Sequence, residues 1–91
     1  MPISTAQFTL TANTARQIVA PDRMNQQVIV HNHEHSQNKE IFIGNSGVTT
    51  TNGLHARSTE TLSVNIGPGD DLWAVSDDNN VVIHVLVVKQ D

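Results

Sequence analysis

"ETLSVNI", residues 60–66, sets Leu62, Val64 and Ile66 at every second position among polar neighbours. A period of two is the mark of a strand with one dry and one wet face, whereas a helix would repeat its apolar residues every three or four positions. "QFTLTA", residues 7–12, repeats the pattern with Phe8, Leu10 and Ala12 between threonines. Working outward, "RQIVA", "QQVIVHN", "EIFIGN", "LWAVS" and "VVIHVLVV" are short runs rich in β-branched residues, separated by clusters of Gly, Pro, Asn, Asp and Ser. Thr, Asn, Val and Gly are poor helix formers, and no window carries an amphipathic helix of three turns. The expected class is all-β: one small antiparallel β-sandwich or jelly-roll-like domain of about seven to eight short strands.

Two turns are legible. In "GPGD", residues 67–70, Pro68 supplies the fixed φ and Gly69 the positive φ of a type II turn. "SDDNN", residues 76–80, reads as a hairpin returning the last strand beside "LWAVS". That last strand, "VVIHVLVV", is apolar at nearly every position, which predicts a central strand covered on both faces; as an edge it would need cover from another subunit.

Ninety-one residues form one domain, 1–91, with 1–25 either its first strand or an arm exchanged between subunits. A fold this short buries only about 60% of its unfolded surface. Without cysteine it has no disulfide or thiolate metal site to lean on, so self-association is the expected support. Nine acidic against five basic side chains, a net charge of -4, argue against nucleic acid or an anionic membrane as partner. The N-terminal residues lack the basic and apolar regions of a secretory signal, and synthesis in the host cytoplasm is expected.

"HNHEH" puts His31, His33 and His35 at alternate positions, where an extended chain would turn three imidazoles to one side. Those three are the weak metal candidates. The surrounding polar run "HNHEHSQNKE" lies between two strong strands and has the composition of a solvated hairpin tip, the favoured reading. Asp70, Asp71, Asp77 and Asp78 sit beside Gly, Pro or Asn, where turns use carboxylates for their own backbone, and the alternating ligand spacing of an EF-hand is missing. With no nucleophile elbow and no phosphate-cradling glycine loop, neither catalysis nor a cofactor is expected. Trp73, the single tryptophan, reads as a core anchor before a sugar or subunit platform.

Residues 41–88 resemble small structural proteins of tailed bacteriophages. In that pattern a strand ending in Ile-Gly leads to a Gly-Val-Thr-x-x-Asn-Gly loop, then an alternating strand, a Pro-Gly turn, and two Val-rich strands. Here Gly44, Gly47, Val48, Thr49, Asn52 and Gly53 carry the loop, Pro68 and Gly69 the turn, and Leu72, Trp73, Ala74 and Val75 the next strand. The segment "HARSTE" departs from the pattern, and the first 25 residues have no counterpart in it. The resemblance implies a capsid decoration or head-fibre protein on the virion exterior, with the major capsid protein as partner and a homotrimer as the leading oligomer. A carbohydrate-binding or host-attachment module is the alternative. Phe8, Leu10, Gly44, Asn45, Val48, Thr49, Asn52, Leu54 and Trp73 are the candidate capsid or subunit contacts.

Overall fold

The structure, a computed structural model, describes residues 3–34 and 39–90. Eight strands account for most of them: β1 (Ile3–Leu10), β2 (Arg16–Val19), β3 (Asn25–Asn32), β4 (Ile41–Gly44), β5 (Leu54–Ala56), β6 (Thr61–Ile66), β7 (Leu72–Ser76) and β8 (Val81–Gln90). The strand that the sequence patterning did not isolate is β5, three residues long, inside "NGLHARS". Three residues are too few for an alternation to show.

The strands form two four-stranded sheets, ordered β1-β8-β3-β6 and β2-β7-β4-β5, with every strand ladder antiparallel. The pairs β4–β5, β3–β6, β2–β7 and β1–β8 nest one outside the next, so the chain is a long hairpin folded at its middle and wrapped into a sandwich. That is the eight-stranded jelly roll. The β1 segment pairs with β8 from Ile3↔Val88 to Leu10↔Val81.

Two expectations about connectivity change. β7 and β8 lie in different sheets, so "SDDNN" is a crossover between layers; Ser76 is buried, and its Oγ donates to the carbonyl of Asp78 at 2.7 Å to bend the chain away. The "HNHEHSQNKE" run is likewise a crossover, because β3 and β4 belong to opposite sheets. The type II turn is as expected: Gly69 has φ 81° and the Asp70 N–H donates to the Gly67 carbonyl at 3.1 Å.

Alternation along the strands delivers Leu10, Val28, Val30, Val81, Ile83 and Val85 from one sheet and Ile18, Ile41, Ile43, Leu72 and Ala74 from the other into a shared dry core. β8 is central in its sheet, as expected, but only its Val81, Ile83, Val85 and Val87 face is covered; Val82, His84, Leu86 and Val88 are half-buried with no second layer above them. The run is apolar on both sides although this chain covers one.

Three polar side chains are buried among the described residues, Gln26, Asn32 and Ser76. Asn32, the centre of "HNH", is fully buried; its Nδ2 donates to the carbonyls of Lys39 (2.9 Å) and Ala56 (3.2 Å), and its Oδ1 accepts from the Glu34 N–H (3.2 Å). It joins the end of β3 to β5 and to the start of the β4 approach. Removing it takes this donor from the Ala56 carbonyl and this acceptor from the Glu34 N–H, while the Lys39 carbonyl keeps the Ser58 Oγ donor at 3.4 Å. Asn32→Ala is expected to cost about 2–3 kcal/mol, read as a lower urea midpoint at unchanged slope.

At the opposite end Asp22 accepts from Lys89 Nζ at 2.7 Å and from the Met24 N–H at 3.0 Å. These donors, Lys89 first, hold its carboxyl below the ordinary carboxylate range. A lowered folded pKa adds stability above the unfolded value and forfeits it as pH falls through the folded one. Chemical denaturation of wild type and Asp22→Asn across pH should therefore show a gap at pH 7 that closes as the pH drops below about 4.

Candidate functional site

The β4–β5 loop, residues 45–53, is the tip of the folded hairpin and carries the Gly-Val-Thr-x-x-Asn-Gly pattern. Its backbone is held by its own side chains. Asn45 Oδ1 accepts from the Gly47 N–H (2.9 Å), Asn52 Oδ1 from the Thr49 N–H (2.7 Å), and Asn52 Nδ2 donates to the Gly47 carbonyl (3.4 Å). Backbone bonds from Val48 to Asn45 (3.0 Å) and from Gly53 to Thr49 (3.2 Å) complete two tight turns. Asn and Thr side chains closing local turns fix a loop without any core of its own.

Val48 anchors this loop. It is 5% exposed and lies over Gly44 and Gly53, where added Cβ atoms would meet its side chain at 3.1 and 2.7 Å. The Gly53 position would also meet Phe42 Cβ at 2.7 Å, so glycine is required there for close approach, not for φ. Gly53→Ala is expected to push the loop off the sheet and cost about 1–3 kcal/mol, visible as a lowered melting temperature with β-sheet circular dichroism retained.

Beside the loop, Gly44 pairs with Trp73, and Trp73 with Gln17, on the outer surface of the second sheet. Asp71 Oδ2 accepts from Trp73 Nε1 and from Gln17 Nε2, each at 3.0 Å. Those two donors, the indole first, lower the Asp71 carboxyl below its usual range. Trp73 is half-buried and pinned by its polar edge, which places it at the wall of a surface, not in the inter-sheet core expected for it. Gly44, Asn45, Val48 and Asn52 line a shallow recess of about 300 Å³ next to it. Polar loop atoms, a fixed aromatic and a small recess make this the candidate contact surface; Gln17 carried no pattern in the sequence and Asp71 read as a turn carboxylate, because their meeting depends on the β2–β7 ladder.

The other candidate contacts separate. Leu10 is 1% exposed and belongs to the core. Phe8 packs against that core, and the Arg16 guanidinium lies 4.9 Å from its ring centroid, so its part is packing also. Thr49 stays on the loop surface, and Leu54, 58% exposed, stands on edge strand β5. The structure thus gathers Gly44, Asn45, Val48, Thr49, Asn52 and Trp73 and leaves Phe8 and Leu10 elsewhere.

His31, one residue before the end of β3, meets Thr61 Oγ1 at 2.9 Å, and His33 stacks on His84 with centroids 4.3 Å apart. His35 lies outside the described residues. Among the described residues no group of three or more His, Cys, Asp or Glu could hold a metal ion. Asp70 and Asp78 are engaged within their own turns, accepting from the Gly67 and Asn79 N–H groups, whereas Asp77 reaches across to accept from the Glu40 N–H ahead of β4.

No family model and no curated protein matches the sequence. Among solved structures the fold is similar to a chain of a Bacillus endospore appendage, from a family described as disulfide-linked pili, at a TM-score of 0.60 and 12% identity; the match covers 99% of this chain and 87% of that one. At that identity the likeness is one of fold. With no cysteine, this chain cannot make the disulfide link named for those pili.

Proposed function

We propose that this chain is a structural protein of a tailed-phage virion, a decoration subunit that binds the major capsid protein on the outside of the shell. The observation that carries the reading is the 45–53 loop: the stretch that resembles phage structural proteins is also the most prominent preorganised loop, held by Asn45, Asn52 and Val48 before any partner arrives. A loop fixed in advance loses little conformational entropy on docking, so its polar contacts go into affinity. The jelly roll suits the role, since it recurs in viral capsid domains and resists shear through nested long-range ladders. The appendage subunit of similar fold belongs to another repetitive assembly, which favours a building-block role in general terms. The work is adhesion: a subunit that binds only the assembled lattice stabilises it by its binding free energy at every site.

The test is co-sedimentation of the purified chain with shells assembled from the major capsid protein encoded in the same genome. Saturable binding, a raised melting temperature of the shell, and an affinity about five- to thirtyfold lower for Asn52→Ala are expected, the last from one lost loop-closing residue worth about 1–2 kcal/mol. Shells that pellet without the chain would overturn the reading. Trp73 beside the Asn-lined recess supports a host-glycan module as the second reading. Glycan-array binding abolished in Trp73→Ala, with no shell binding, would establish that one instead.

A further inference from the structure

The outer surface of the first sheet is built from the residues that alternate with the core on β1, β8, β3 and β6. Cross-strand partners share a face, so Ile3 sits beside Val88, Leu86 beside Ile29, and His84 beside His31. Ile3 is 66% exposed and the other five are half-buried. A concavity of about 430 Å³ opens over the middle of this face, floored by Ile29 and Leu86 and flanked by His31 and His84. No Asp, Glu, Lys or Arg stands at an outward position on any of the four strands. Lys89, the charged residue within them, alternates to the inner side and pairs with Asp22.

We infer that this uncharged face is a homotypic interface, packed in the assembled protein against the same face of further copies of this chain. Three observations select a copy of itself as occupant. First, each copy carries a net charge of -4, so two copies repel wherever their acidic loops meet; here they approach without opposing any formal charge. Secondly, the face has an apolar centre on β8 and β3 and polar Thr, Ser, Gln and Asn toward β1 and β6, the apolar-core and polar-rim arrangement of an oligomer contact. Thirdly, the size suffices. Four strands about 4.8 Å apart and about 25 Å long give roughly 500 Å² of flat area per copy, hence roughly 1,000 Å² per contact, the lower bound for a specific interface. The inference does not rest on the capsid reading, because it concerns a different face from the 45–53 loop and Trp73.

The test is the molar mass of the full chain by light scattering on a sizing column, for wild type, Leu86→Lys, Thr5→Glu and Thr14→Lys. Thr5 pairs with Leu86 on this face and is exposed, so its substitution leaves the core untouched; Thr14 lies in the β1–β2 loop, away from the face. Wild type and Thr14→Lys should elute as the same dimer or trimer, while Leu86→Lys and Thr5→Glu shift toward the 9.9 kDa monomer with unchanged circular dichroism. A weakening of the association constant of at least about tenfold is expected for each face variant, as for a like charge buried against itself. A monomeric wild type at about 0.1 mM, a concentration where interfaces of this size hold, would overturn the inference. So would an oligomer that Thr5→Glu leaves intact, since that variant keeps the test open even if Leu86→Lys does not fold. Shell binding measured in parallel keeps the two readings apart: a monomer that still binds shells refutes this inference alone, and an oligomer that binds none refutes the decoration role alone.

Discussion

The ladder between β8 and its two neighbours holds the rest of the molecule in place. β8 pairs with β1 along eight residues and with β3 along eight more, so the last strand fixes both the first strand and the strand that ends in Asn32. From Val81 to Val87 the inner positions of β8 are all β-branched with their side chains in the core: Val81, Ile83, Val85 and Val87. A slip of one residue would turn Val82, His84, Leu86 and Val88 inward and put a histidine in the core, which penalises the wrong register. The same ladder joins residues far apart in sequence, so the chain pays a large loop-closure entropy before its central contacts form.

Around that ladder the two ends of the sandwich are closed by different chemistry. At one end the buried Asn32 amide ties the β3–β4 crossover to β5; at the other, the Asp22 carboxylate collects Lys89 and the Met24 N–H, while its carbonyl takes the Gly69 N–H of the type II turn. The 45–53 loop lies outside both closures. It rests on the second sheet through Val48, and so it can be shaped by Asn and Thr without disturbing the core.

The strand periods and Gly-Pro turn of this fold were legible because they are local: alternation reports a half-buried strand whatever its partner, and Pro68-Gly69 dictates its own turn. Which strands pair was not. "SDDNN" has the composition of a hairpin and serves as a crossover, since turn residues bend a chain equally well within a sheet or between two. β5 is too short to show a period. The Asn45–Asn52 loop was legible from its motif, whereas Gln17 and Asp71 entered the surface only through the β2–β7 register. Phe8 and Leu10 were contact candidates as the apolar face of an N-terminal segment that could pair with another subunit, and in this fold that face packs on its own core.

The nested ladders also bring the chain back to where it starts: Ile3 is opposite Val88, at one extremity of the first sheet, while the 45–53 loop marks the midpoint of the hairpin. Residues 3 and 88 face each other across one ladder, so a linker that keeps Lys89 beside Asp22 would have little distance to span. The architecture is thus a natural scaffold for circular permutation, and a peptide grafted beyond β1 or β8 would leave the sandwich from the same corner.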